Sequence, residues 1–294
     1  MSDKGREVVR AIHGIRGVGE VIKIVEGKRV IGHRELPMAL RELHDGAIYL
    51  HGGRVYEVYK LDLSSRTAYV RKLQGDYDFY TTALYSSEPR IDEILEEGFI
   101  KSVPYQYVRL TIKEVVHGYV VKRFGSGEVV EKREFGEPFT YEFRTKGVVI
   151  YAPFITFSPF ENVDVVERGG RAYHAAEHVM IMVGENVIGG AGPTDLGGIS
   201  YPTGHIIIYD SYPGGSGTAR MIIKRIDEVL KISLSVLTHC TCTDGCPPKC
   251  VYSPYCGNDN HYLSRKNAIK VIDAILKGGV SSSVSELPTG GSYD

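Results

Sequence analysis

The chain has 294 residues, of which 43% are hydrophobic and 24% charged, a composition typical of soluble globular proteins. A chain of this length usually forms two domains, because single hydrophobic cores stop growing at about 250–300 residues. No apolar segment approaches the roughly 20 residues that a membrane span needs, and the charged N-terminus lacks the apolar centre of a secretory signal. We therefore expect a cytoplasmic protein without a membrane segment, in which cysteine thiols stay reduced.

The net charge of −1 conceals an uneven distribution along the chain. Residues 1–72 carry a net charge of +5 and residues 218–278 a net charge of +4, whereas residues 73–217 carry −8. Two basic ends around an acidic middle favour contact of one face with a polyanion. Chance variation along a solvated surface gives the same distribution, so charge alone leaves both interpretations open.

The first half of the chain is predicted to be rich in β-strands. Apolar and polar residues alternate around Gly52-Gly53 and again around Ser64-Ser65, which predicts antiparallel strands with tight connections. A short helix is predicted before them in "ELPMALRELHDG". Further strands are predicted in "YQYVRLTIKEVVHGYVVKRF" and "FTYEFRTKGVVIYAPF", the second with a turn at Lys146-Gly147.

The second half is predicted to mix helices and strands. "RAYHAAEHVMIMV" predicts a helix, "GHIIIYD" a buried strand and "TARMIIKRIDEVLKISLSVL" an amphipathic helix. Ser264 is expected to cap a last helix. We predict an α+β protein with a β-rich domain at residues 1–150, a mixed α/β domain at 151–278, and a disordered tail at 279–294.

All five cysteines lie in one short segment: Cys240, Cys242, Cys246, Cys250 and Cys256. An odd number of cysteines in a reducing compartment argues against disulfides, and no C-x-x-C pair is present for redox chemistry. Metal binding explains the spacing better, because the two thiolates of an extended C-x-C segment point the same way and can face one ion. Four thiolates around Zn²⁺ make a closed tetrahedral site that stabilises structure rather than performing chemistry.

The segment "HIIIYDSYPGGSGTAR", followed by "CTCTDGCPPKCVYSPYCGNDNHYLSRKNA", closely resembles the MrfA-type zinc-binding domain. This domain is the C-terminal module of a branch of superfamily 2 DNA-repair helicases related to RecQ, and it also occurs in separate subunits that accompany a helicase. "HAAEHVMIM" and "GPTDLGGIS" resemble the start of the domain, and "IGHRELPMALRELHDGAIYLHGGRVYEVYKLDL" resembles the β-rich segment before it. The resemblance covers most of residues 12–277.

The resemblance implies that Zn²⁺ is held by Cys240, Cys242, Cys246 and Cys250. The family has two residues between its third and fourth cysteines, whereas "CPPKC" has three. The longer spacer leaves Cys256 as an alternative ligand.

The 294 residues contain no G-x-x-x-x-G-K-[ST] phosphate loop, so the resemblance does not extend to a helicase motor. The resemblance and the lack of this motif together imply a non-catalytic DNA-binding or scaffold subunit that partners a separately encoded superfamily 2 helicase in DNA repair or defence. A protein-interaction module without nucleic-acid contact is an alternative.

The glycine-rich "YDSYPGGSGTAR" is predicted to form a strand, a loop and a helix start. Unpaired N–H groups at a helix start attract anions, which predicts weak, sequence-independent contact with DNA phosphates. The residues expected at this contact are Gly214, Gly215, Gly217, Arg220 and Lys224. A tight strand-to-helix turn that needs glycine for its backbone alone explains the same sequence.

"HAAEH" matches the H-x-x-E-H pattern of zinc peptidases. Helical spacing places His174 and His178 on one face, with Glu177 beside them. A stand-alone metal-dependent hydrolase would need a third ligand, Asp195 or Asp210, which the pattern does not supply. We therefore predict a packed polar cluster and no catalytic residue, with the hydrolase as an alternative.

Overall fold

The structure is a computed structural model, and it describes residues 12–14, 17–75, 77–155, 165–189, 192, 194–243, 249–279 and 287. The described residues form β-sheets and α-helices, which confirms the predicted α+β class. The predicted disordered tail at 279–294 lies almost entirely outside the described residues. Within them, no helix combines the length and apolar character that crossing a bilayer requires.

The chain forms two compact units, of which the first comprises residues 1–86 and 113–142. Its sheet is formed by the strands β3 (Val21–Glu26), β4 (Arg29–Glu35), β5 (Ile48–His51), β6 (Arg54–Asp62) and β7 (Thr67–Lys72). The strand order is β4-β3-β7-β6-β5, in which β3 and β7 run parallel and the other pairs antiparallel. A separate two-stranded sheet precedes it, formed by β1 (Ile12–Gly14) and β2 (Gly17–Val18).

Local sequence explains the elements of this unit. Gly52 and Gly53 have φ of 54° and 72°, the left-handed backbone that a two-residue hairpin between β5 and β6 requires. The predicted short helix is present as α1 (Met38–Glu42), which buries Met38, Ala39 and Leu40. These elements enclose one apolar core, to which β3 contributes Ile22 and Ile24.

A histidine lies inside this core. His44 is fully buried, stacks on Tyr119 with ring centroids 4.7 Å apart, and lies 5.5 Å from Phe135. Its Nδ1 donates to the carbonyl of Asp45 at 3.1 Å. Burial disfavours the charged imidazolium and lowers the pKa of His44 to about 4, although the bond to Asp45 opposes the shift.

Replacing His44 with phenylalanine is expected to reduce the loss of stability on acidification. In the unfolded chain His44 takes up a proton near pH 6.5, whereas in the folded chain it does so only near pH 4. The free energy of unfolding therefore falls as the pH drops from 6.5 to 4. Between pH 7.5 and pH 5 the wild type should lose about 2 kcal/mol more than H44F. Urea unfolding at both pH values measures this difference, and exposed His33 provides the control, H33F. Equal losses in wild type and H44F would contradict the prediction.

The second unit comprises residues 87–112 and 143–294. The strands β8 (Phe79–Ile100), β9 (Val103–Arg123) and β10 (Val129–Tyr151) are long and contribute residues to both units. They join a five-stranded sheet of order β11-β12-β10-β9-β8, where β11 is Leu196–Ser200 and β12 is His205–Asp210. The two units are therefore divided at residues 86, 112 and 142.

The α-helices of the second unit follow its apolar periodicity. They are α2 (Val165–Ile188), α3 (Thr218–Lys224), α4 (Ile226–His239) and α5 (Arg265–Lys277). Helix α2 buries residues at a spacing of three and four, namely Ala172, Ala175, Ala176, Val179, Met180 and Val183. The helix predicted over 218–237 is divided at Arg225, and the cap predicted for α5 is present, because Ser264 accepts a hydrogen bond from Asn267 N–H.

The predicted turn at Lys146-Gly147 is wrong, because β10 continues through it as one strand. Gly147 pairs with Tyr209 of β12. A Cβ at Gly147 would lie 2.8 Å from the carbonyl oxygen of Ile208, so glycine permits close approach of the two strands rather than a turn.

Candidate metal centre

Three cysteine sulfurs converge after the end of α4. Cys240 caps this helix in extended conformation, Cys242 follows, and Cys250 lies in a 3-10 helix formed by Lys249–Val251. The Sγ of Cys242 is 3.2 Å from that of Cys240 and 3.6 Å from that of Cys250. All three Sγ atoms lie within 4.8 Å of one another and are half-buried. The fourth predicted ligand, Cys246, lies outside the described residues.

The geometry of these sulfurs suits a zinc ion. Zn–S bonds of about 2.3 Å in a tetrahedron separate neighbouring sulfurs by about 3.8 Å, close to the observed distances. A disulfide would need about 2.05 Å. Burial, followed by hydrogen bonds to Cys242 and Cys240, raises the pKa of the Cys250 thiol, whereas a hydrogen bond from the Cys242 backbone lowers that of Cys240. Adjacent thiols resist joint deprotonation, and a divalent cation removes that obstacle.

The cysteine cluster lies beside the contact between α4 and α5. At the start of α5, the Arg265 guanidinium donates to the carbonyl of Leu237 in the last turn of α4 at 2.9 Å. The same arginine lowers the pKa of Cys240 through its charge, a smaller effect than the hydrogen bonds. An ion in the cluster would therefore fix the end of α4, from which Cys240 and Cys242 extend, to the 3-10 helix that carries Cys250.

A second group of potential ligands lies deeper in the same unit. His174 and His178 share one face of α2, as the H-x-x-E-H spacing predicts, with ring centroids 4.4 Å apart. Cys256 joins them, its Sγ 3.6 Å from His174 Nε2. All three residues are buried, at 1%, 8% and 5% exposure. The structure thus places Cys256 with the histidines, apart from the described members of the cysteine cluster.

The ligand set of the alternative hydrolase is not assembled among the described residues. The Asp210 carboxylate accepts hydrogen bonds from the N–H groups of Gly217 and Ala219, both at 2.8 Å. Asp195 accepts one from Gly192 N–H. Glu177 faces β11, where a side chain in place of Gly198 would collide with its carboxylate.

Burial favours the neutral form of both histidines. Burial lowers the pKa of His178 to about 4, against a hydrogen bond to the backbone of Val251. Burial and the nearby His178 lower the pKa of His174 well below its ordinary value. Neutral imidazoles retain a lone pair, which is the form that binds metals.

The predicted phosphate-binding loop is engaged within the chain. Gly214 N–H donates to the Arg144 carbonyl at 2.8 Å and Gly215 N–H to the Tyr212 carbonyl at 3.0 Å. Gly217 N–H donates to Asp210, whose raised pKa is due first to burial, with the backbone N–H groups opposing it. The anion at this helix start is thus the protein's own carboxylate.

Two basic side chains beside that loop remain on the surface. Arg220 is exposed and pairs with Glu96 at 3.1 Å, and Lys224 is exposed in the last turn of α3. A phosphate at this position would therefore contact side chains rather than backbone N–H groups.

Residues 176–251 match the model of the MrfA Zn-binding domain. The chain is 30% identical over 227 residues to the uncharacterized ATP-dependent helicase YprA of Bacillus subtilis, covering 74% of this chain and 29% of that protein. It is 24% identical over 274 residues to the ATP-dependent helicase HRQ1 of Saccharomyces cerevisiae, covering 87% of this chain and 25% of that protein. The chain thus spans less than a third of either helicase.

This chain also matches a small protein over almost the whole length of that protein. The uncharacterized protein MJ1572.1 of Methanocaldococcus jannaschii is 33% identical over 112 residues, which cover 98% of that protein and 35% of this chain.

Crystal structures of the DUF1998 helicase MrfA share the fold. The chain matches one with a TM-score of 0.54 at 24% identity, covering 80% of this chain and 33% of that one. It matches MrfA bound to DNA with a TM-score of 0.50, also at 24% identity, covering 87% and 34%.

The fold and the converging sulfurs define a zinc-binding protein related to helicases. The chain belongs to the MrfA Zn-binding domain family, which confirms the family and the zinc predicted from its sequence.

Proposed function

We propose that this chain is a non-catalytic DNA-binding or scaffold subunit that partners a separately encoded superfamily 2 helicase in DNA repair or defence. The observation that carries the proposal is the relation of this chain to two ATP-dependent helicases over most of its length. One solved relative in this fold, MrfA, is bound to DNA.

The proposal includes a structural role for zinc, bound by Cys240, Cys242, Cys246 and Cys250. Three of these sulfurs already lie at distances that suit one tetrahedral ion. Four thiolates leave no open coordination position, so the ion holds the chain in place and performs no chemistry. The burial of His174, Glu177 and His178 keeps a substrate away from them and disfavours the hydrolase alternative.

The proposed DNA contact uses side chains on the surface of α3. Arg220 and Lys224 lie one turn apart, and the segment 218–278 carries a net charge of +4. Because the nearby backbone N–H groups are bonded within the chain, phosphate binding depends on these side chains, and affinity is weak and independent of sequence.

Binding to single-stranded DNA is expected to weaken steeply with salt. Dissociation constants near ~10⁻⁵ M at physiological salt and a log–log slope of about −2 to −4 correspond to a few phosphate contacts. R220E together with K224E should reduce the slope by about 1.4, because two contacts are lost, and should weaken binding equally for all sequences. Fluorescence anisotropy across a salt series measures both quantities.

A matched control tests whether total charge alone explains the loss. K60E with K72E makes the same charge change on exposed strand residues of the first unit and should leave the slope nearly unchanged. Equal losses in the two double variants, or wild-type affinity that ignores salt, would contradict the proposed contact.

Partnership with a helicase is tested by purification from native lysate. A helicase carrying its own phosphate loop should copurify with the tagged chain in the presence of nuclease. Failure to recover a helicase, with DNA binding unchanged, would contradict the role as a helicase subunit but not the proposed DNA contact.

A further inference from the structure

The buried group formed by His174, His178 and Cys256 has no role in the proposed function. Its three ligand atoms lie within 4.8 Å of one another, although Cys256 is 82 positions beyond His174 in the sequence. We propose that these three residues bind a second Zn²⁺, separate from the ion of the cysteine cluster, and that this ion joins α2 to the loop that follows the 3-10 helix.

The distance between the donors matches a zinc site. In a tetrahedron with Zn–N of about 2.05 Å and Zn–S of about 2.3 Å, a nitrogen and a sulfur ligand lie about 3.6 Å apart. His174 Nε2 and Cys256 Sγ lie 3.6 Å apart. The mixed nitrogen and sulfur donors are those that zinc takes in proteins.

The hydrogen bond of His178 fixes which nitrogen binds. Its Nδ1 lies 2.7 Å from the carbonyl oxygen of Val251, and since a carbonyl only accepts, Nδ1 carries the proton. Nε2 is then the nitrogen with a lone pair for the metal. Donation of the other ring N–H to a backbone carbonyl is the usual support for a histidine ligand.

Cys256 is supported in a similar way. Its Sγ accepts a hydrogen bond from Asn260 N–H at 3.2 Å, which stabilises a thiolate. In the thiol form the same sulfur donates to Asn258 Oδ1 at 3.0 Å. A hydrogen-bonded thiol packed against two imidazoles is therefore the alternative without metal, and the experiment must separate the two.

Burial decides the kind of site. With three protein ligands a water molecule would complete the tetrahedron, but His174 and Cys256 are at most 5% exposed, so no substrate reaches that position. The ion is structural. The 3-10 helix connects the two ions, because Cys250 supplies a sulfur to one and the next residue, Val251, supplies the carbonyl that orients His178.

Native mass spectrometry of the full chain tests the proposal by counting metal ions. The wild type should carry two zinc ions, and C256S and H178Q one each. The matched control H261Q changes an exposed histidine of the same loop and should retain two. One zinc in the wild type, or two in C256S, would overturn the proposal.

X-ray absorption at the zinc edge of the wild type keeps the test independent of whether the variants fold. Two sites as proposed give a first shell of about three nitrogen or oxygen atoms to five sulfurs, with scattering from imidazole rings. An all-sulfur shell at about 2.3 Å would overturn the second site while leaving the cysteine cluster intact.

Discussion

Replacing Cys242 with serine is expected to remove one zinc ion and to lower the free energy of unfolding by about 4 kcal/mol or more. Cys242 lies between the other two described sulfurs, 3.2 Å from Cys240 and 3.6 Å from Cys250. The binding energy of a structural ion is folding energy, because the unfolded chain does not hold the ligands together. The apolar core of the second unit remains, so partial structure should persist without the ion.

Urea unfolding of wild type and C242S, each with and without a strong chelator, measures this effect. Chelator should lower wild-type stability at least to that of C242S, because it also removes the second proposed ion, which C242S retains. The control T241S changes the exposed residue between two ligands and should behave as wild type. Stability that neither C242S nor chelator alters would contradict a structural zinc in the cysteine cluster.

Local sequence patterns predict the structure correctly where the cause of that structure is itself local. Gly52-Gly53 predicts the hairpin between β5 and β6 because few other residues adopt left-handed backbone at two consecutive positions. Ser264 predicts the start of α5 because its hydroxyl accepts from the N–H of Asn267 within the same turn. The apolar run of β12 predicts a buried strand, and β12 lies between β11 and β10.

Predictions failed where a distant contact sets the outcome. Gly147 permits a turn or close strand approach equally well, and only its neighbour β12 decides between them. The division between α3 and α4 falls at Arg225, whose guanidinium donates to the carbonyl of Val187 in α2 and to Glu228. Apolar periodicity continues through this break and therefore does not reveal it.

The two candidate sites show the same limit. Short spacing within residues 240–250 indicates a metal site, because neighbouring cysteines share one segment. The sequence does not predict that Cys256 lies beside His174 and His178, because no local pattern links Cys256 to α2.

At the glycine-rich loop the sequence predicts unpaired N–H groups. In the structure, Asp210 accepts hydrogen bonds from the N–H groups of Gly217 and Ala219. The N-cap residue of α3 is Gly217, and Asp210 lies seven residues before it at the end of β12, so the local capping pattern does not reveal this contact.

The first unit contains a buried ion pair between Arg41 of α1 and Glu114 of β9. Arg41 Nε donates to Glu114 Oε1 at 2.8 Å, and its Nη2 donates to Oε2, so the contact is bidentate. The Glu114 side chain is fully buried, and the Arg41 side chain is 9% exposed. The guanidinium carbon also lies 3.8 Å from the ring centroid of Tyr85, which adds a cation–π contact.

Replacing Arg41 with methionine is expected to lower the free energy of unfolding by about 3–5 kcal/mol, because it leaves the Glu114 carboxylate buried without its counter-ion. R41M with E114M should recover much of the loss, since two apolar side chains of similar size restore packing without a buried charge. R71M removes the exposed partner of Glu57 and should cost less than about 1 kcal/mol. Urea unfolding of the four proteins measures the coupling between Arg41 and Glu114. A double variant no more stable than R41M would show that Arg41 stabilises the unit through packing on Tyr85 rather than through its charge.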